Sequence, residues 1–426
     1  MSAHIPFVNT DRDCDILNKY YKDTKIVRIS IESIDKVKNK IPKYSLWIDP
    51  AIDAYSHILD TNWPIDIIKQ SPKTSTLWPL NESGEKKDEW KIQSWNRWEK
   101  LFKSFKGYKI LTHKNYWVTK YKEELKTFVE DILNKCCNYK PAWITVPQLP
   151  LVNDGTRNKI NKMLAEITGE YKSKHGYKGK LILPLIFTKQ EQLRTKPTRD
   201  KKIKTAKECY YNARADGLWI VDTSLADQSR NEKFPARYSK LIEFHENIKE
   251  SFPEETIIIA GPYWGINLVL WAKELCDYPS ISLGTGYTYN ISCGFKKPGN
   301  VHLAISPLRR QVVVNDDLKS WITSVLSELG PKDPTHRDFE DLIEHFDMLR
   351  HRDAASNKVA ESYKRWFDEI EIVPQVGRAL ALYQDLSSAY VLGKQLPSLP
   401  RTCLPNVPEK ILEAGAVAEQ LMLKCL

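Results

Sequence analysis

Short apolar segments rich in β-branched residues recur along the first 285 residues, and most of them are followed by a helical pattern. Eight segments are predicted as strands: 25–31, 45–49, 108–112, 142–146, 180–187, 217–222, 256–260 and 280–283. Buried strands that alternate with helices indicate a parallel sheet, and eight strands close a (β/α)8 barrel. An α/β protein with a TIM-like barrel is therefore the predicted fold. An open doubly wound sheet is the alternative, because periodicity does not count strands securely.

Helical patterns divide the chain into a barrel and a C-terminal region. Between the strands, helices are predicted over 116–137, 158–171, 236–250 and 264–275. After the last strand come apolar segments at 301–305 and 311–314, helical patterns at 318–329, 339–351, 354–370 and 375–392, and a last helix from residue 409. The predicted organisation is a barrel over 1–305 with an insertion at about 60–107, which is long for a βα connection, and a helical C-terminal subdomain with a tail over 306–426.

Positive charge is concentrated in two stretches of this 426-residue chain, whose net charge is +10. Residues 86–126 contain 12 Lys and Arg against 5 Asp and Glu, and residues 189–207 contain 8 against 2. Aromatic residues accompany the first stretch: Trp78, Trp90, Trp95, Trp98, Phe102, Phe105, Tyr108, Tyr116, Trp117 and Tyr121. Cations neutralise phosphates and aromatic faces stack on bases, so this mixture favours a nucleic-acid surface. The alternative is a solvated helix whose Trp residues face the core.

Seven cations are the predicted contacts to a nucleic-acid backbone. They are Lys86, Lys87, Lys91 and Arg97 in the insertion, and Lys201, Lys202 and Lys204 in the second stretch, which is interpreted as a loop. The predicted partner is thus nucleic acid, with DNA favoured over RNA. The sequence carries no indication of an oligomeric state.

Composition and missing motifs exclude several other classes of protein. A chain with 42% hydrophobic and 28% charged residues is not mainly disordered, and its apolar runs fall short of the about 18 residues that a membrane-spanning helix needs. The first 15 residues lack the basic and apolar regions of a leader, so a cytoplasmic location is expected. The eight Cys and nine His residues form no C-x-x-C or H-E-x-x-H motif, and no Gly-rich phosphate-binding motif follows a strand, so neither a metal nor a cofactor is predicted.

Polar and aromatic residues at strand ends are the candidate site, because reactive groups of a barrel lie at the C-terminal face of its strands. The catalytic candidates are Asp49, Asp222 and Asp53, and the substrate-binding candidates are Gln148, Tyr263, Trp264, Tyr287 and Asp227. A carboxylate that ends an apolar strand is costly to bury without a partner. The structural alternative for Asp49 and Asp222 is a helix N-cap, and for Trp264 and Tyr287 it is packing at the rim.

The order of these strand ends resembles that of the tRNA-guanine transglycosylase superfamily, including its relatives that insert deazaguanines into DNA. The family's Asp-containing motif after the second strand corresponds to Leu46-Trp47-Ile48-Asp49-Pro50-Ala51, and its base-reading polar residue corresponds to Gln148. Its nucleophilic Asp falls in the stretch Leu275-Cys276-Asp277-Tyr278-Pro279-Ser280. Ser280 stands where that Asp would be, and the family's cysteine-rich zinc motif is absent.

The resemblance implies chemistry at an N-glycosidic bond, and the departures from the family bear on which reaction it is. Base exchange needs a covalent enzyme–sugar intermediate, for which Ser is a poor substitute for a carboxylate. Excision needs one carboxylate to orient water or to stabilise the developing sugar cation. The predicted function is therefore a DNA glycosylase that flips out a modified base, with a role in conflict between bacteria and phages implied by the resemblance. The alternatives are a base-exchanging transglycosylase that uses Asp222 or Asp277, and a non-catalytic nucleic-acid-binding barrel.

Overall fold

Eight parallel strands close into a barrel in chain order, and the first strand pairs with the eighth. The computed structural model describes residues 3–52, 104–106, 122–151, 155–188, 190–225, 234–284, 300–404, 407 and 409–425. The barrel strands are β1 Ile5–Val8, β2 Ile26–Ser30, β3 Ser45–Asp49, β4 Trp143–Thr145, β5 Lys180–Phe187, β6 Gly217–Asp222, β7 Ile257–Ala260 and β8 Tyr278–Ser282. The predicted (β/α)8 fold is confirmed.

Seven of the eight predicted strands are barrel strands, and their ends agree to within two residues. The one remaining predicted strand, at 108–112, lies outside the described residues. The remaining place in the barrel belongs to β1, which was not predicted and which joins β2 to β8. Its sequence, Ile-Pro-Phe-Val, is short and contains a proline, two features that weaken the signal of a strand.

Helices follow most of the strands and form the outer wall of the barrel. They are α1 Asp11–Tyr20, α2 Ile34–Val37, α3 Lys122–Cys137, α4 Gly155–His175, α5 Lys196–Ala213, α6 Phe234–Ser251 and α7 Ile266–Ala272. Helix α5 corrects the prediction of a loop over the second basic stretch. Thr195 caps its N-terminus and Pro197 lies in its first turn, while Ile203, Ala206 and Tyr210 bury one face at helical spacing.

Side chains on the strands alternate between the barrel interior and the helices outside. The interior cluster consists of Ile5, Trp47, Trp143, Ile182, Ile186, Trp219, Val221 and Ile259. The residues between them, such as Ile48, Leu218 and Ile220, belong to the larger cluster that packs against the helices. This alternation follows from the two-residue period of a strand, and it decides which strand-end side chains can meet inside the barrel.

The C-terminal region begins with an antiparallel hairpin of β9 His302–Ile305 and β10 Arg310–Val313, so the predicted boundary between 305 and 306 falls inside this hairpin. Its helices are α8 Asp316–Glu328, α9 His336–Glu344, α10 Phe346–Leu349, α11 Arg352–Glu371, α12 Arg378–Gln395 and α13 Ala416–Met422. Helix α11 packs on α1 and α12 packs on α7, so these two helices complete the wall between the last and first barrel strands. Across the described ranges, none of the helices has both the length and the apolar character needed to cross a membrane.

Candidate active site in the barrel interior

Asp49 ends β3 at the C-terminal face of the barrel, and its side chain has the same inward direction as that of Trp47 two residues before it. Only 3% of Asp49 is exposed. Its Oδ1 atom accepts a hydrogen bond of 3.0 Å from the backbone N–H of Ala51. A buried carboxylate at the mouth of a barrel is thus held in a defined orientation by the chain that leaves its own strand.

Thr145 of β4 provides a second contact to Asp49. The indole Nε1–H of Trp47 donates to Thr145 Oγ1 over 2.8 Å, and the Thr145 side chain lies near enough to the Asp49 carboxyl group to lower its pKa. Because Trp47 occupies an acceptor position of the hydroxyl group, the single proton of that hydroxyl is available to the carboxylate. Trp47, Thr145 and Asp49 therefore form one polar cluster inside the barrel.

Arg28 brings positive charge into the same interior. It lies at the centre of β2, is fully buried, and its guanidinium carbon is 4.1 Å from the ring centroid of Trp219 and 4.3 Å from that of Phe7. A guanidinium group is attracted to the faces of aromatic rings, which tolerate it in a space with little water. The positive charge also favours the ionised form of Asp49.

The pKa of Asp49 is raised above its ordinary value because burial disfavours the carboxylate. The charge of Arg28 and the hydrogen bonds from Ala51 and Thr145 oppose this rise. A carboxyl group whose pKa is moved toward neutrality is suited to accept a proton during a reaction, which is why such groups cluster at active sites.

Ser280 faces the same interior, as the alternation of β8 requires. It pairs with Ile5, is fully buried, and its Oγ has no hydrogen-bond partner within the described part of the chain. The residue that the resemblance aligns with a nucleophilic Asp therefore faces the barrel interior. Asp277, the alternative nucleophile, does not lie in the barrel interior. It precedes β8 at the opposite end of the barrel, where its Oδ2 accepts a hydrogen bond from the N–H of Ile258 over 2.7 Å.

Asp222, the second catalytic candidate, lies on the outer side of its strand and not in the barrel interior. It shares the outward direction of Ile220, and it forms a buried ion pair with Arg237 of α6. Its backbone N–H donates to the hydroxyl group of Tyr263 over 2.6 Å. The last residue of β3 faces inward and the last residue of β6 faces outward, so the two carboxylates do not converge on one site.

Gln148 is also turned away from the barrel interior. The loop that carries it runs beside β5, since Val146 and Leu151 donate to backbone carbonyls of that strand. Its Nε2 donates to the backbone carbonyl of Asn161 in α4 over 2.9 Å, and only 4% of the residue is exposed. The contacts of Gln148 join the β4 loop to a wall helix, whereas a base-reading role requires an amide that faces the mouth.

Tyr263 and Trp264 pack into the protein rather than forming an exposed platform. Tyr263 is buried, and its hydroxyl group donates to the carbonyl of Ile220 over 3.4 Å. The indole N–H of Trp264 donates to the carbonyl of Arg309 over 2.9 Å, and its ring packs near that of Trp366 in α11. The packing alternative is thus the one that their contacts support.

The predicted backbone-binding cations have different surroundings. Lys201 and Lys204 are exposed on α5, whereas Lys202 is 2% exposed, and burial lowers its pKa to about 8. Lys202 therefore lacks the exposed surface that a phosphate contact needs. Several predicted residues lie outside the described part of the chain: Asp53, Asp227, Tyr287, Lys86, Lys87, Lys91 and Arg97.

Arg28 and Thr145 are the site residues that sequence analysis missed. Arg28 interrupts the apolar strand Ile-Val-Arg-Ile-Ser, and a charged residue flanked by buried positions must face either solvent or a polar interior. That interruption was a usable signal. Thr145 carried none, because threonine is common in strands for reasons of shape alone.

Polar side chains that face the barrel interior include Arg28, Asp49, Thr145 and Ser280, and the rings of Trp47, Trp143 and Trp219 pack against one another in the same interior. In the described ranges, no three His, Cys, Asp or Glu side chains lie close enough to form a metal site. Compared with models of known protein families the chain gives no match, and no curated protein matches it.

Proposed function

We propose that the protein is a nucleic-acid N-glycosylase that excises a base and leaves an abasic site, with Asp49 as the catalytic carboxylate. The observation that carries this proposal is the position of Asp49. It lies at the C-terminal end of β3, its side chain faces the barrel interior, and its carboxyl group is buried and has a raised pKa. The N–H of Ala51 and the Thr145 side chain contact this carboxyl group. Active sites of barrel enzymes lie at this end of the strands.

The reaction that this group supports is hydrolysis. A water oriented by the Asp49 carboxylate attacks the sugar carbon as the bond between that carbon and the base nitrogen breaks, and the sugar passes through a state with positive charge. The carboxylate stabilises that charge and accepts a proton from the water, and the departing base takes up a proton at its nitrogen. The products are a hydroxylated sugar carbon in an intact strand and the free base.

Excision is favoured over base exchange by the arrangement of carboxylates. Asp222 is paired with Arg237 outside the barrel and Asp277 lies at its other end, so neither is placed to attack the sugar that Asp49 would contact. Ser280 faces the interior, yet its hydroxyl group is a weaker nucleophile and leaving group for a glycosyl intermediate than a carboxylate. Of these three aspartates, Asp49 alone faces the interior, and one carboxylate matches the requirement of a direct hydrolysis.

The proposed substrate is DNA with a modified base. The net charge of +10 and its concentration in two stretches suit a polyanion, and exposed Lys201 and Lys204 present part of that charge. A base inside a duplex is out of reach of a barrel interior, so the target nucleotide would have to be flipped out of its stack. The preference for DNA over RNA, and a role in conflict between bacteria and phages, come from the family resemblance.

Asp49→Asn is the first test. It removes the ionisable group while nearly preserving shape, and we expect formation of abasic sites on DNAs with modified bases to fall by about 100-fold or more. Because the ionised form is required, the wild-type rate should fall as the pH drops through the pKa of Asp49, which burial places above 3.8.

Asp277→Asn is the matched control, since it alters the same residue type at the other end of the barrel. An Asp49→Asn protein with the wild-type rate would remove Asp49 from the mechanism. The products distinguish the alternatives: free base with an abasic site supports excision, incorporation of an added base without net hydrolysis supports exchange, and binding with neither supports a non-catalytic barrel.

A further inference from the structure

Helix α5 has one buried face and one exposed face of different character. The exposed face carries Lys196, Lys201 and Lys204, with Lys207 half-buried beside them, and it ends at Tyr211. Asp200 is the single carboxylate among them. A rise of about 1.5 Å per residue makes this face about 22 Å long from Lys196 to Tyr211.

Several lysines on the helices before α5 form ion pairs that cross from one helix to the next. Helix α3 pairs with α4 through Lys122–Glu166 at 3.3 Å, Lys126–Glu170 at 3.4 Å and Lys174–Glu130 at 3.7 Å. Helix α4 pairs with α5 through Lys162–Glu208, and α5 pairs with α6 through Arg199–Glu243. The carboxylates in these cross-helix pairs are therefore already engaged by other cations, and Asp200 is the carboxylate that remains on the exposed face of α5.

The lysines of the exposed face of α5 have no such partners. Among the residues that the structure describes, Lys196, Lys201, Lys204 and Lys207 form no ion pair with a carboxylate. Four uncompensated cations on one rigid helix create a local positive potential that a polyanion would neutralise.

Tyr211 adds an aromatic surface to the same face. It is 59% exposed, and no other large apolar side chain of α5 is exposed to solvent. Its ring meets the edge of Tyr210 at a centroid distance of 5.5 Å, and Tyr210 is fixed in turn by Phe252 at 5.2 Å and by a 3.1 Å hydrogen bond to Thr256. An exposed ring on a fixed support offers a face on which an unpaired base can stack.

We propose that the exposed face of α5 binds a single strand of nucleic acid, with Lys196, Lys201, Lys204 and Lys207 on the phosphates and Tyr211 stacked on one base. A single strand is specified because a paired base does not present its face to a side chain. The inference rests on the proposed function in that it assumes a nucleic-acid substrate. The proposal also gives the position of the bound strand. Helix α5 follows β5 and begins at the mouth of the barrel, so its exposed face extends from the mouth along the outer wall.

Binding of a labelled 12-nucleotide oligo-dT strand and of a 12-base-pair duplex, measured by fluorescence anisotropy on the full chain, tests the proposal. We expect Tyr211→Ala to weaken binding of the single strand by about 10-fold and Tyr211→Phe to restore it, because a phenyl ring still stacks. A Lys204→Gln/Lys207→Gln protein should lower the slope of log affinity against log salt by about 1.4 for the single strand.

Lys126→Gln and Lys174→Gln are the controls for charge, since both lysines lie on neighbouring helices and are paired with glutamates. Wild-type binding by Tyr211→Ala, equal losses for single strand and duplex, or equal losses in the control variants would each overturn the proposal. A wild-type protein that binds the strand in this way but forms no abasic sites would leave the α5 site standing and refute the glycosylase. Circular dichroism of each variant checks that the substitutions at these surface positions leave the fold intact.

Discussion

Asp49 and Asp222 each end a barrel strand, but their side chains face opposite sides of the barrel wall and therefore have different chemical surroundings. Asp49 follows the inward Trp47 by two residues, and Asp222 follows the outward Ile220 by two. The first meets a hydroxyl group, a backbone N–H and an interior guanidinium, whereas the second meets Arg237 of a wall helix. At the scale of single residues, the side of the strand that each aspartate faces makes Asp49 a candidate catalyst and Asp222 part of a structural ion pair.

Asp222→Ala should therefore affect stability rather than catalysis. Removing one partner of a buried ion pair typically costs about 3–5 kcal/mol, because the remaining charge loses its counterion. We expect a loss of that size in the free energy of unfolding, measured by urea denaturation, while the folded protein still forms abasic sites. Asp353→Ala is the control, since that carboxylate is 80% exposed in its pair with Arg12 and its loss should cost about 1 kcal/mol or less. An Asp222→Ala protein of normal stability and no activity would return Asp222 to the active site.

At the scale of elements, the C-terminal helices depend on close backbone contact. Helix α12 meets the start of α13 at Gly393 and Gly415, where a Cβ added to Gly393 would lie 2.2 Å from the backbone nitrogen of Gly415. No side chain fits at that distance, so the two glycines let α13 lie directly on α12. Helix α12 also helps to complete the barrel wall, so a shift here would be transmitted to α7.

Gly393→Ala should destabilise the protein although alanine is the better helix former. Alanine in a helix is favoured over glycine by about 1 kcal/mol, whereas overpacking costs about 1–3 kcal/mol and moves the backbone. We expect a lower free energy of unfolding in guanidinium denaturation. Gly330→Ala is the matched control, because a Cβ there would have no atom within 4 Å, and its stability should be unchanged or slightly higher. Equal stabilities of the two variants would show that α13 can move without cost.

At the scale of the whole molecule, two buried histidines join parts that are distant in the chain. His4, just before β1, packs its ring on Phe367 of α11 at a centroid distance of 3.6 Å. His245 of α6 is fully buried, and its Nδ1 lies 3.1 Å from the carbonyl of Leu275. Burial lowers the pKa of both, that of His245 to about 4.

The protein should accordingly lose stability in mild acid. Between pH 6.5 and about 4 the unfolded chain binds a proton at His245 that the folded protein does not, so the free energy of unfolding falls as the pH falls. His245→Gln should remove a contribution on the order of 3 kcal/mol from that change, since one pKa unit corresponds to about 1.36 kcal/mol. Urea denaturation at pH 7 and pH 4.5 measures it. The control is His351→Gln at an exposed position, which should keep the wild-type pH dependence. A His245→Gln protein as acid-sensitive as the wild type would assign the effect to other groups.

The candidate site was predictable only in part, as particular residues show. Asp49 was identified because a carboxylate after an apolar strand stands out in the sequence. Arg28 left a visible interruption in its strand, but its contact with Trp219 joins residues that are far apart in the chain. Gln148 and Trp264 follow strands as Asp49 does, yet the loops that carry them turn toward α4 and α11. Loop direction depends on packing, which local patterns do not encode.

The sequence by itself indicated a barrel of strands that alternate with helices, because the period of apolar residues follows from local chain geometry, although it did not show β1, the strand that closes the barrel. It also determined where positive charge is concentrated. Only the tertiary structure decided that Asp49 faces the interior and Asp222 a helix, and that Lys202 is buried. It also decided that, within the described residues, the lysines on the exposed face of α5 form no ion pair with a carboxylate, whereas several lysines of α3 and α4 do. Burial and pairing are properties of residues brought together from distant parts of the chain, so they exist only once the barrel has closed.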